Sequence, residues 1–124
     1  MSLVGPKAKK LVPDLFECLI DKDDVVRSSA ARALYQIGPE AKDAEEALIK
    51  CLNDENSQVR GNAVLALGAI EPELKEIVPA LIKCLGDKDK EVRKAAAKTL
   101  RVMGPEERAE AALIDLIKNT GLVC

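Results

Sequence analysis

Four cysteines are the first residues in the chain with a chemistry to account for: Cys18, Cys51, Cys84 and Cys124. Thiolates ligate soft metals and carry redox reactions. Three of these four, however, recur at intervals of 33 residues. Equivalent cysteines on stacked helices stand about 8–10 Å apart, and a disulfide needs Cα atoms within about 7 Å. They are expected to be small buried hydrophobes, with Cys124 an exposed terminal thiol. A second recurring set is Asp21, Asp54 and Asp87, each followed six residues later by Arg27, Arg60 and Arg93. Carboxylate beside guanidinium suggests acid–base chemistry, but arginine keeps its proton near neutral pH. A set present three times is also no unique reaction centre. The 124 residues contain no histidine, which removes Ser-His and Cys-His nucleophiles and histidine-ligated zinc. No catalytic residue, cofactor or metal is expected.

Those residues sit inside a repeat. "DKDDVVRSSAARAL" at 21–34 returns as "DENSQVRGNAVLAL" at 54–67 and as "DKDKEVRKAAAKTL" at 87–100. Val26, Val59 and Val92 superpose, as do Ala30, Ala63 and Ala96, and Leu34, Leu67 and Leu100. Each unit holds two helical patterns. In the first helix Leu11, Leu15, Cys18 and Leu19 fall on one face, and in the second Val26, Ala30, Ala33, Leu34 and Ile37 do. Asp23, Asn56 and Asp89 stand where the second helix needs an N-cap. Gly38 and Gly104, each followed by proline, stand where it needs a C-terminal stop. Pro13 and Pro79 fall near the start of first helices, where proline is tolerated or kinks the helix. One helix pair cannot bury both its sides, so the units must stack into an α-solenoid. With aromatics at only 2%, the core must be Leu, Ile, Val and Ala. The expectation is an all-α single domain over 1–124, with units 9–41, 42–74 and 75–106 and a partial unit 107–119, about seven helices.

The pattern D-x-x-x-x-V-R-x-x-A-x-x-A-L, complete in the second unit, resembles the HEAT-like repeats of the phycobilisome-lyase type. In the third unit Thr99 replaces the second alanine. The resemblance covers nearly the whole chain and implies a right-handed α-α superhelix of the HEAT/armadillo-like kind. It implies an internal ladder in which Asp21/Arg27, Asp54/Arg60 and Asp87/Arg93 join loops and helices along the stack. It also implies that second helices line a concave binding face. Ankyrin repeats share the period but need a Thr-Pro-Leu-His signature absent here. Tetratricopeptide repeats need a Trp and Tyr framework that this chain cannot supply.

Charge then points to a surface. None of the 21 acidic residues lies in 25–37, 58–70 or 92–103, the bodies of the second helices. Outside the ladder, Arg32, Lys94, Lys98 and Arg101 remain there. Positions opposite the core read Ser28, Arg32 and Tyr35, then Gly61, Leu65 and Gly68, then Lys94, Lys98 and Arg101. Such a face, with Leu65 at its centre, Tyr35 at one edge and Lys94, Lys98 and Arg101 at the other, would suit an acidic peptide or protein segment. It also fits a solvated surface with cations placed near helix C-termini, where the dipole favours them. The leading functional expectation is a non-enzymatic protein–protein interaction scaffold. The resemblance implies an alternative, accessory handling of a linear tetrapyrrole (phycobilin). Nucleic acid is a poor fit, since four surplus cations and one tyrosine give weak phosphate affinity. No stretch is long and apolar enough for a membrane, and "MSLVGPKAKK" lacks a secretory pattern, so a cytoplasmic location is expected. The last first-type helix, with Leu113, Leu116 and Ile117, lacks a partner. Either the chain is part of a longer array or copies associate head to tail.

Overall fold

The structure is a computed structural model that describes residues 10–70 and 74–102. Val12–Leu19 forms α1, Asp24–Ile37 α2, Glu45–Cys51 α3, Ser57–Ala69 α4, Leu74–Cys84 α5 and Lys90–Val102 α6. A 3-10 segment, Gly38–Ala44, joins α2 to α3. There is no strand among the described residues, and no described helix is long and apolar enough to cross a membrane. The helix expected at 110–119, the stop at Gly104 and the terminal Cys124 lie outside the described residues.

The turns between paired helices are written by three residues. In each, the first aspartate folds back on the amide two residues on: Asp21 accepts from Asp23 at 2.8 Å, Asp54 from Asn56 at 2.9 Å and Asp87 from Asp89 at 2.9 Å. The residue so positioned then caps the second helix. Asp23 accepts from Val25, Asn56 from Gln58 and Val59, and Asp89 from Glu91 and Val92. An aspartate turn followed by an N-cap satisfies first-turn amides that would otherwise lack partners. At the other end of α2, Gly38 adopts φ +74°, a left-handed value that a side chain resists, and its N–H bonds the Leu34 carbonyl.

Two helix starts differ from the sequence reading. Leu11 is exposed and Val12 is buried, because proline in the first turn sets the start of α1 at Val12 and leaves Leu11 as the flanking residue. Pro79 lies inside α5 rather than in its first turn. There it removes one N–H from the helical ladder.

Burial follows the repeat. Leu34, Leu67 and Leu100 are 0%, 0% and 2% exposed and occupy equivalent interior places. Ala30, Ala63 and Ala96 lie beside them, with Val59 and Val92 below. Leu48 and Leu81 supply the first-helix side of the core. Small residues let helices approach closely, so alanine at these positions sets the spacing of the stack. The most extensive helix contacts are α2 on α4 and α4 on α6. Second helices therefore form a continuous layer, as in a solenoid.

Candidate functional site

Arg27 and Arg60 each grip two units at once. Arg27 Nη1 donates to the Asp21 carbonyl of its own turn at 2.8 Å, while Nε and Nη2 fork onto the Asp54 carboxylate of the next turn at 2.8 and 3.0 Å. Arg60 does the same with the Asp54 carbonyl at 2.8 Å and the Asp87 carboxylate at 2.8 and 3.0 Å, and adds the Glu55 carbonyl. Paired by sequence position within one unit, Asp and Arg thus bond side chain to side chain between units and side chain to backbone within one. Arg93 donates to the Asp87 carbonyl at 2.7 Å and is exposed.

The fork is bidentate and charge-assisted, the strong form of such a pair. Partial burial pushes the Asp54 carboxyl up, but the Arg27 fork and the Asn56 amide outweigh it and hold the group below its ordinary range. Burial, the Arg60 fork and the Asp89 amide act likewise on Asp87. A folded-state pKa below the unfolded one, about 3.9, means stabilisation present at neutral pH and lost as pH falls through the depressed value. Acid unfolding is therefore expected to set in below about pH 4 and to soften in Asp54→Asn, whose amide cannot titrate. Circular dichroism across pH 2–6 checks this.

Cys51 and Cys84 are buried, and burial first, then the nearby Asp54 and Asp87 charges, pushes both thiols up to about 11. They stay protonated at neutral pH, inert as nucleophiles and poor as metal ligands. Cys18 is half-buried.

A groove of about 700 Å³ crosses the layer of second helices. Its register comes from contacts between neighbours. A Cβ added at Gly61 would stand 3.9 Å from Val92, and one added at Gly68 would stand 2.7 Å from Thr99. Both pairs are offset by the same number of residues, so α4 and α6 run parallel. On the other side, Asn62 Nδ2 donates to the Ser28 hydroxyl at 2.9 Å and carbonyl at 3.1 Å, tying α4 to α2. Taking repeat-equivalent positions, 33 residues apart, as rows, the lining reads Val25, Gln58, Glu91; Ser28, Gly61, Lys94; and Arg32, Leu65, Lys98.

The groove joins four of the six expected binding residues: Arg32, Leu65, Lys94 and Lys98. Tyr35 and Arg101 are exposed on the same helices one row further on, outside the lining. That row closes because Gly68 meets Thr99 there. The sequence reading missed the Asn62–Ser28 bond and the acids at one rim. The asparagine stood out only as a polar residue on a second helix. Asp89 is occupied by the Glu91 and Val92 amides and the Ser57 hydroxyl. Glu91 approaches Lys94 at 3.9 Å in solvent. Arg32 and Lys98 have no carboxylate partner among the described residues.

The two glycines separate packing from groove. Gly68→Ala is expected to cost about 1–2 kcal/mol by overpacking, and Thr99→Ala in the same chain should recover most of it. Gly61→Ala meets ordinary contact and should gain about 0.5–1 kcal/mol of helix propensity. Urea midpoints of the three variants test the contrast.

A stack of two-helix units, locked by an arginine fork from each turn to the next and carrying a groove on its second helices, defines a helical-repeat solenoid. Models of the HEAT repeat match residues 11–41 and 45–121, and the chain belongs to that family. Two crystal structures of engineered proteins are similar. One is 29% identical with a TM-score of 0.66, and 90% of this chain covers 51% of that one. The other is 32% identical with a TM-score of 0.64, and 90% of this chain covers 34% of it. No curated protein matches the chain.

Proposed function

We propose that this chain is a non-enzymatic interaction module that takes a partner protein or peptide, acidic in character, on the concave face formed by its second helices. The family's general role in protein–protein interaction supports this reading. The observation that carries it is the groove, whose ladder neighbours are consumed in stacking while Arg32 and Lys98 keep unpaired charge among the described residues. Chromophore handling draws no support from Cys51 and Cys84, whose buried thiols are held protonated. The three free thiols among the described residues suit a reducing, cytoplasmic setting.

Charge reversal is the test. Immobilised chain should retain a partner from an extract of its source. The variant Lys98→Glu/Arg101→Glu should lose it with circular dichroism unchanged, because both side chains are exposed. Retention of the same partner at the same salt dependence would refute the reading. Head-to-tail association of copies is a second use of the same ladder. Arg93 bonds no carboxylate, and the Asp21 carboxylate no arginine, among the described residues, and the two are chemically complementary.

A further inference from the structure

Resting on that reading, the groove's row geometry specifies the occupant further. Arg32, Leu65 and Lys98 share one row across α2, α4 and α6. Leu65 is half-buried between two exposed cations. Neighbouring helices pack about 8–10 Å apart, so the outer two axes are about 16–20 Å apart. An extended chain advances about 3.3 Å per residue, and that span takes about five to six residues. Only an even number keeps both ends of a strand on the same face. We infer that the groove accepts an extended acidic segment of a partner protein, crossing the second helices, with two carboxylates about six residues apart and aliphatic side chains between them over Leu65.

The rest of the groove agrees with this occupant. Gly61, one turn of α4 before Leu65, leaves the floor open beside the crossing chain, and no packing contact requires a glycine there. The acids on the Glu91 rim repel a carboxylate placed one row off, while Lys94, which Glu91 approaches, offers it less than Lys98 does. A helical occupant would need its carboxylates about eleven to thirteen residues apart, since a helix rises only 1.5 Å per residue.

The test uses dye-labelled nonapeptides of serine, two leucines and two glutamates, read by fluorescence anisotropy at low salt. Glutamates six apart, with leucines on the same face between them, should bind about 5–10-fold more tightly than isomers with spacings of four or eight. Arg32→Glu and Lys98→Glu should each weaken that peptide by about 5–10-fold. Lys50→Glu, on α3, should leave it unchanged. Equal affinity for all spacings, no loss on either reversal, or tighter binding of a helical peptide or of an oligothymidylate would overturn the inference. Gly61→Gln, which fills the floor, separates the two levels. If the nonapeptide fails while Gly61→Gln releases the partner captured above, the extended-peptide inference falls and the groove reading stands. If Gly61→Gln leaves that partner bound, both fall.

Discussion

Replacing Arg60 with methionine should lower stability by about 2–3 kcal/mol, more than any other exchange in the ladder. The guanidinium is the common partner of the Asp54 and Glu55 carbonyls and of both Asp87 carboxylate oxygens. With side chains only 8% and 12% exposed, Arg60 and Asp87 lie largely out of water. Removing the arginine strands a carboxylate in a place that disfavours charge, and this costs more than the pair itself contributes. The figure sits below that for a deeply buried pair because the Asp89 amide still serves Asp87. Arg60→Met with Asp87→Leu should recover much of the loss, since an apolar pair leaves nothing unsatisfied. Arg93→Met, at an exposed rung, should change stability little. Urea denaturation of the single and double variants gives the coupling directly. A single-variant loss below about 0.5 kcal/mol would mean that the rung is ornamental.

Leu67→Ala is expected to cost about 3–5 kcal/mol, the largest effect of any single change proposed for this chain. Its side chain is fully buried in α4, the helix packed on both α2 and α6. Truncation removes the transfer free energy of three carbons and leaves a hole that rigid neighbours cannot close. Position adds to size. In a stack whose stability is a sum of unit and nearest-neighbour terms, a cavity in the middle unit weakens two interfaces. The urea transition of Leu67→Ala should therefore broaden as well as shift, the outer units parting company. A sharp transition with an unchanged slope would show that the units do not uncouple there.

How much of this was written in the sequence differs by feature. Leu34, Leu67 and Leu100 could be placed in the interior from spacing alone, because apolar periodicity reports one helix's own buried face. Asp23, Asn56 and Asp89 could be placed as caps because capping is local, set within three residues. What spacing cannot report is which copy of a residue meets which. Aspartate and arginine stand six residues apart in every unit, yet the Asp54 carboxylate belongs to Arg27 rather than to Arg60. A period establishes equivalence between positions and leaves partner choice to the rise and rotation of the stack. The groove shows the same divide. A helical wheel puts Gly61 and Gly68 on one outward face, but the packing of α4 on α6 brings Gly68 against Thr99 and leaves Gly61 in ordinary contact with Val92. Tyr35 and Arg101 consequently fall beyond the groove that Arg32 and Lys98 border. Leu11 was misplaced because the strict period outweighed the proline two residues on, which falls in the first turn of α1 and leaves Leu11 at its N-cap.

Among the described residues the forks run in one direction only, Arg27 and Arg60 each reaching forward to the next turn with the same two atoms, Nε and Nη2. A tandem duplication of one whole unit would thus arrive with a donor for the turn ahead and an acceptor for the turn behind. Length can change by copying whole units, with no rewriting of the joints, whereas an insertion of any other size leaves a turn facing a stranger.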